Sequence, residues 1–231
     1  MIVVIGSPSV LPGDPGQRAT ATGRPADVAR GAIDAGSSVQ LVGKVGDDPP
    51  GDALLLALAD AGIGHVAVLR DPARATPLSP PLDVAGTLEA ESMLAEDDAF
   101  DTTDQASPGG PPIGNGPLPT IDAGDLELAL RYLPDHRIVV VAEPLDPAAL
   151  AAVIGDCSYV GAQLIVILEA NGSAAGLPPA ATAFEAPRAD PDGIFARTVG
   201  RFAAALDQGV PGPAALAQAT AGAGWQATPT A

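Results

Sequence analysis

The sequence is poor in the residues on which several protein classes depend. It has one cysteine, Cys157, so no disulfide can close within the chain and no cysteine metal cluster can be built. A lone cysteine of this kind reads as a small core hydrophobe. Aromatic residues make up only 3% of the chain, so the core must be assembled from Ala, Val, Leu and Ile, which lets helices lie close on a sheet. Cations are scarce: 11 Lys and Arg stand against 28 Asp and Glu, a formal charge of −17. That balance argues against a nucleic-acid partner, because a phosphate backbone demands a basic surface. The excess acid reads as a device for solubility, and it repels nucleotide wherever no local site overrides it. No apolar run reaches about 18 residues, so no membrane-spanning helix is expected. The start, Met1-Ile2-Val3-Val4-Ile5-Gly6, has no basic segment ahead of an apolar one. No secretory signal is expected there, and a cytoplasmic location follows by default.

What the chain does have is a rhythm. Apolar residues are 47% of 231, enough for the core of one α/β domain spanning residues 1–231. Ile2–Ile5 is a β-branched run ending at a glycine and reads as a buried strand. A polar Gly/Pro loop is expected over Ser7–Thr22. A helix follows from Pro25, with Val28, Ala29, Ala32 and Ile33 on one face and Gly36 as its stop. Val39–Val42 reads as the second strand. Asp48-Pro49-Pro50 opens a helix carrying Leu54, Leu55 and Leu58, and His65–Leu69 is a third strand. The alternation returns with helices from Asp122 to Leu133 and from Asp146 to Ile154. Strands are expected at Arg137–Ala142, Leu164–Leu168 and Ala181–Glu185. A long helix over Pro191–Gln208 and a last one over Gly212–Ala221 complete the set. Strand–helix alternation of this kind predicts right-handed βαβ units, a parallel doubly wound sheet and helices on both faces. Between the halves, residues 70–120 read as an irregular Gly/Pro-rich insertion; Val84–Leu94 within it suits helix or strand, and Ser107–Pro117 reads as flexible loop.

Specific residues carry a resemblance. Gly23-Arg-Pro-Ala-Asp-Val-Ala, then Ala35-Gly36, then Val39-Gln-Leu-Val-Gly-Lys-Val-Gly-Asp-Asp-Pro-Pro-Gly51 resembles the N-terminal signature of the ribokinase-like, or phosphofructokinase B (PfkB) type, carbohydrate kinases. In that family a Gly-Gly pair precedes an Asn-Val-Ala helix, and a strand leads into a Val-Gly-Asp-Asp-x-x-Gly turn. Asp190-Pro-Asp-Gly-Ile-Phe-Ala-Arg through Ala-Leu-Asp-Gln-Gly209 is similar to the family's D-T-T-G-A-G-D-A-F helix, and Ile165–Gly172 to the strand before it. The matched stretches cover about half the chain. The resemblance implies a ribokinase-like fold with its lid region reduced or irregular, residues 70–120 being an insertion or the remnant of that lid.

The resemblance also says where chemistry should sit, and there the sequence departs from it. Phosphoryl transfer needs a base for the acceptor hydroxyl, donors for the phosphate, close backbone approach to the nucleotide and groups to fix the sugar. Ala196 stands at the position of the family's Asp base; Asp192 is the nearest substitute. Of the family's anion-hole glycines Gly193 remains, with Ile194 and Phe195 after it. Gly172 keeps the second glycine of the nucleotide strand, while Glu169 replaces the first. Leu11 stands where the family's sugar-holding Asp would be, with Asp14 out of register. Gly23 and Asp27 correspond to the second glycine and the Asn of the sugar site; Asp27 equally suits the first turn of a helix. Asp190, ahead of Pro191, reads as a helix cap, and Asp190, Asp192 and Glu169 are expected to converge on the start of that helix. No metal ligands stand out: Asp48 reads as a cap, and His65 and His136 stand alone. Glu143, after a strand, is the best isolated acid for a ligand role.

Two functions follow as expectations. The first is a PfkB-like chain without phosphoryl transfer, a pseudokinase that binds a protein partner, a second copy of itself or a small metabolite and needs no cofactor. The second is an ATP- and Mg-dependent sugar or nucleoside kinase with an unusual site. Three separate losses at base, anion hole and sugar position favour the first.

Overall fold

The computed structural model describes residues 1–14, 16–79 and 118–221. The expected strand or helix within 84–94 and the flexible loop at 107–117 lie outside them. In chain order the first half is β1 (Ile2–Ile5), β2 (Ser9–Leu11), β3 (Thr20–Thr22), α1 (Arg24–Asp34), β4 (Val39–Gly46), α2 (Pro49–Asp60) and β5 (Gly64–Asp71). The second half is α3 (Ala123–Arg131), β6 (Ile138–Val141), α4 (Pro147–Val160), β7 (Gln163–Leu168), β8 (Thr182–Glu185), α5 (Ile194–Asp207) and α6 (Gly212–Thr220).

β1 is buried at all four positions and sits inside a six-stranded sheet of order β5-β4-β1-β6-β7-β8, with every pair parallel. Continuous β-branched runs of this kind belong to strands covered on both faces. Ile2, Val4, Leu41, Val140 and Ile165 meet α1, α2, α5 and α6 on one side. Val3, Ile5, Val139 and Val141 meet α3 and α4 on the other. The parallel doubly wound sheet read from the sequence is therefore present. One expectation is corrected: Ser7–Thr22 is not all loop, because β2 and β3 pair antiparallel within it as a small second sheet.

Helix starts follow local chemistry. Asp122 and Asp125 form a reciprocal capping box at α3, and Asp146 accepts from the Ala148 and Ala149 N–H groups at α4. Asp48 caps α2 by accepting from the Gly51 N–H at 2.8 Å, and it also accepts from the Thr76 N–H at 2.8 Å and the Thr76 hydroxyl at 2.6 Å. The Val45–Gly51 turn is thus closed by a residue 28 positions downstream. Burial acts to raise the Asp48 carboxyl, but the bonds from Thr76 and Gly51 outweigh it and hold the group below the usual aspartate range.

One packing contact sets the geometry of the site. α1 and α5 lie side by side with Gly31 and Gly200 between them. A β-carbon on Gly31 would stand 2.1 Å from the Arg197 carbonyl oxygen, and one on Gly200 would stand 2.0 Å from that of Val28. Asp27 lies by Gly193, Gly31 by Arg197, and the Ala35 carbonyl accepts from Gln208 at 2.8 Å, so the two helices run in the same direction.

Gly31→Ala and Gly200→Ala should each cost about 2 kcal/mol or more of folding stability by denaturant midpoint. Alanine is the better helix former by about 1 kcal/mol, but here its methyl must displace backbone in a packed core. Unchanged midpoints would show that the helices can separate freely. Asp48 predicts a pH effect with a definite sign. Its folded-state pKa is depressed, so its contribution is complete above the unfolded value of about 3.9 and fades as pH falls through the lower folded value. The stability gap between wild type and Asp48→Asn should therefore narrow as pH drops from about 5 to about 2. A gap that widens in acid would contradict the assignment.

Candidate functional site

In an open parallel sheet, ligands settle beyond the carboxyl ends of the strands, where the order of strands reverses. Here the reversal lies between β1 and β6. At that edge the N-termini of α1 and α5 open side by side, each carrying roughly half a positive charge and N–H groups with no carbonyl partner within the helix. They border a cleft of about 740 Å³ lined by Leu11, Thr20, Thr22, Gly23, Arg24, Asp27, Arg30, Ser79, Asp192 and Ala196, among others.

α1 begins at Gly23, whose φ of 90° has no side-chain cap to accompany it. One turn in, Asp27 faces α5. Its Oδ1 accepts from Arg30 Nη1 at 3.3 Å and from Arg197 Nε and Nη2 at 3.3 and 3.2 Å. The carboxylate also rests against Gly193, where a β-carbon would meet it at 2.6 Å. Asp27 therefore ties α1 to α5 through Oδ1, while Oδ2 accepts no hydrogen bond from the described residues.

α5 begins at Gly193, in the left-handed region with φ 65°. Asp190 reaches over it: Oδ1 accepts from the Phe195 N–H at 3.1 Å and Oδ2 from the Ala196 N–H at 3.0 Å. The cap comes from three residues before the N-cap position, and the helix starts at Ile194 rather than at Pro191 as the sequence suggests. Ala196 is buried. Asp192 is exposed at the cleft, and it makes no hydrogen bond or ion pair with the described residues.

Leu11 and Ala196 line this same cleft. The two positions at which the resemblance leads one to expect carboxylates thus meet in space, and both are apolar. Gly23, Asp27 and Asp192 are brought together here, with Gly193 against Asp27. Gly172 is not. It lines a separate cavity of about 350 Å³ with Glu143, Glu169 and Leu177. The expectation that Glu169 converges on the start of α5 is also corrected. Glu169 accepts from Arg24 at 2.7 Å, and that bond holds its carboxyl below the usual range. Arg24 donates as well to the Ala142 carbonyl at 3.2 Å.

Glu143 follows β6 at the reversal point. Burial raises its carboxyl, although its Oε2 accepts from the Ser7 N–H at 2.8 Å and Arg24 lies near. That bond joins the ends of β1 and β6 across the switch point. Cys157 is buried, and burial pushes its thiol up to about 12, so it is an inert core residue. His136 is buried too, with Nδ1 2.6 Å from the Leu133 carbonyl and Nε2 2.8 Å from Asp156 Oδ2. Among the described residues no group of three His, Cys, Asp or Glu side chains could hold a metal ion. No described helix is long and apolar enough to cross a membrane. Sequence reasoning missed Arg24 and Arg197, whose acidic partners lie 145 and 170 residues away, and Arg30, which joins Arg197 on Asp27 only because α5 packs on α1.

A nucleotide phosphate at the start of α5 would need free N–H groups. The Phe195 and Ala196 amides already face Asp190, and Asp192 adds a second carboxylate. The residues there do not fit a polyphosphate.

A six-stranded, doubly wound parallel sheet with a cleft at paired helix starts defines an α/β architecture whose candidate site lies at the switch point. The fold within that class is that of the ribokinase-like carbohydrate kinases. A protein from E. coli provisionally called ribokinase II, in apo form, superposes with a TM-score of 0.56 at 14% identity, over 94% of this chain and 90% of that one. The same protein with ATP and Mg²⁺ gives 0.58 at 14% identity, over 96% and 91%. A structure described as Sa239 gives 0.61 at 11% identity, over 99% and 95%. No family model matches the sequence, and no curated protein matches it.

Asp190→Ala should lower stability by about 1–2 kcal/mol in chemical denaturation, through loss of a cap to two amides. Asp190→Asn, which keeps an acceptor, should cost less. Equal stability of all three proteins would show that the carboxylate is no cap.

Proposed function

We propose that this chain is a PfkB-like homologue that no longer transfers phosphate and acts as a binding or interaction protein for a small metabolite or a protein partner. The observation that carries the reading is the Asp190 carboxylate, which takes the amides of Phe195 and Ala196 where a phosphate would otherwise be held. Ala196 supports it, because a buried methyl cannot accept a proton. Leu11 supports it at the sugar position, where an apolar side chain lines the cleft and cannot hold a hydroxyl. On this reading no cofactor is needed, and Gly23 and Asp27 shape the wall of the binding cleft.

One observation favours a second reading. Asp192 is exposed at the cleft and is not engaged by the described residues, so it is the group to serve as a displaced base in an ATP- and Mg-dependent sugar or nucleoside kinase.

The test is a coupled phosphorylation assay with ATP, Mg²⁺ and a panel of sugars and nucleosides, paired with calorimetric ATP titration. The expected result is no turnover above background and no ATP heat. Loss of the base alone removes about 10²–10⁴-fold, and each lost phosphate donor about 10²–10³-fold. Turnover that Asp192→Asn abolishes would establish the second reading instead.

A further inference from the structure

A helix that is apolar all round is normally buried. α4 is apolar all round and is not. Its sequence, PAALAAVIGDCSYV, has one charged residue in 14, Asp156, and that side chain is turned to the buried His136. Ala149, Val153 and Cys157 face the sheet. The opposite side presents Ala148, Ala151, Gly155 and Tyr159 to solvent, a stripe at the spacing of a helix-packing seam. Beside it runs a groove of about 900 Å³ between α3 and α4. Of the chain's two tyrosines, Tyr159 stands on α4 at 91% exposure and Tyr132 directly follows α3 at 73%. Interfaces favour tyrosine and arginine and avoid uncompensated acids.

We infer that the outer face of α4 and α3 is the interface of a two-fold homodimer, in which α4 packs antiparallel against α4 of a second copy. Charge selects a second copy as the occupant. The chain carries −17 overall, yet only three charged side chains line this groove: Asp156, turned to His136, and one of each sign on α3, Glu127 and Arg131, neither of which pairs with any described residue. They lie one helical turn apart on α3. A two-fold axis that reverses α3 brings Arg131 of each copy to Glu127 of the other. The shape is self-matching in the same way. An axis near Ala152 and Gly155 lays each Tyr159 on the small Ala148 of the other copy, with Ala151 and Gly155 allowing close backbone approach. Two strongly acidic molecules meet most easily on the face that is nearly neutral.

Sedimentation equilibrium over about 1–500 µM tests this. The expected result is a species of twice the chain's 22.8 kDa. Ala151→Arg places an unpaired charge in the seam and should weaken association about 100-fold or more. Position 151 is exposed and arginine is a good helix former, so circular dichroism should show the fold retained. Glu127→Arg and Arg131→Glu should each weaken the dimer a few-fold, about the worth of an exposed ion pair, and the double exchange should restore it. A wild type that stays monomeric throughout, whether or not it captures some other protein, would overturn the proposal. So would a dimer indifferent to Ala151→Arg, or a double exchange that fails to rescue.

Discussion

The contact between Gly31 and Gly200 is the constraint from which the site follows. With a β-carbon at either place α1 and α5 could not lie at their present distance, because each would run into a carbonyl of the other helix. Close parallel packing has an electrostatic consequence. Two helix starts, each partly positive and each with N–H groups that no helical carbonyl can take, are forced to one edge of the sheet. Something anionic has to answer them. In this chain the anions are its own: Asp27 between the helices and Asp190 over the start of α5. The glycines that bring the helices together therefore create both the cleft and the demand that these carboxylates satisfy.

The parts of this arrangement visible in the sequence are those that depend on neighbours along the chain. β1 and β6 are unbroken β-branched runs, and each of α2, α3 and α4 is announced by an aspartate directly ahead of it. Asp190 was legible as a cap because its amides lie only five and six residues on. The hairpin of β2 and β3 was not, since two strands of three residues among prolines and glycines carry too little alternation to register. Nor was the clasp of Thr76 on Asp48, or the turn of Glu169 to Arg24 rather than to α5. Those pairings are set by how helices and strands stack, and no local pattern records them.

Apart from the exposed Asp192, charge at the carboxyl edge of the sheet is almost wholly consumed in internal pairing. Arg24 bridges Glu169 and the end of β6, Arg30 and Arg197 share Asp27, and Lys44, the only lysine, is bound to Asp125 at 2.6 Å. With only 11 cations in the chain, each one committed to a structural carboxylate is one fewer to receive an incoming anion. Glu143 shows the same economy differently. Its burial is offset by the Ser7 amide and by Arg24, and it pins the ends of β1 and β6 at the point where a ligand site in this architecture would open.

The two faces of the sheet thus divide the chemistry unevenly. The face bearing α1 and α5 holds the cleft and carries most of the buried and half-buried ion pairs. The face bearing α3 and α4 relies on small apolar contacts and leaves the outer side of α4 almost uncharged. Acidic proteins keep apart through their net charge, and an acidic residue on that outer surface would cost the fold almost nothing. Its absence from a whole helix face, in a chain with 28 acids, is therefore not explained by the packing of the helix on its own sheet. Cleft and bare face lie on opposite sides of one sheet, joined through β1 and β6, so whatever occupies the second adjoins the strands that frame the first.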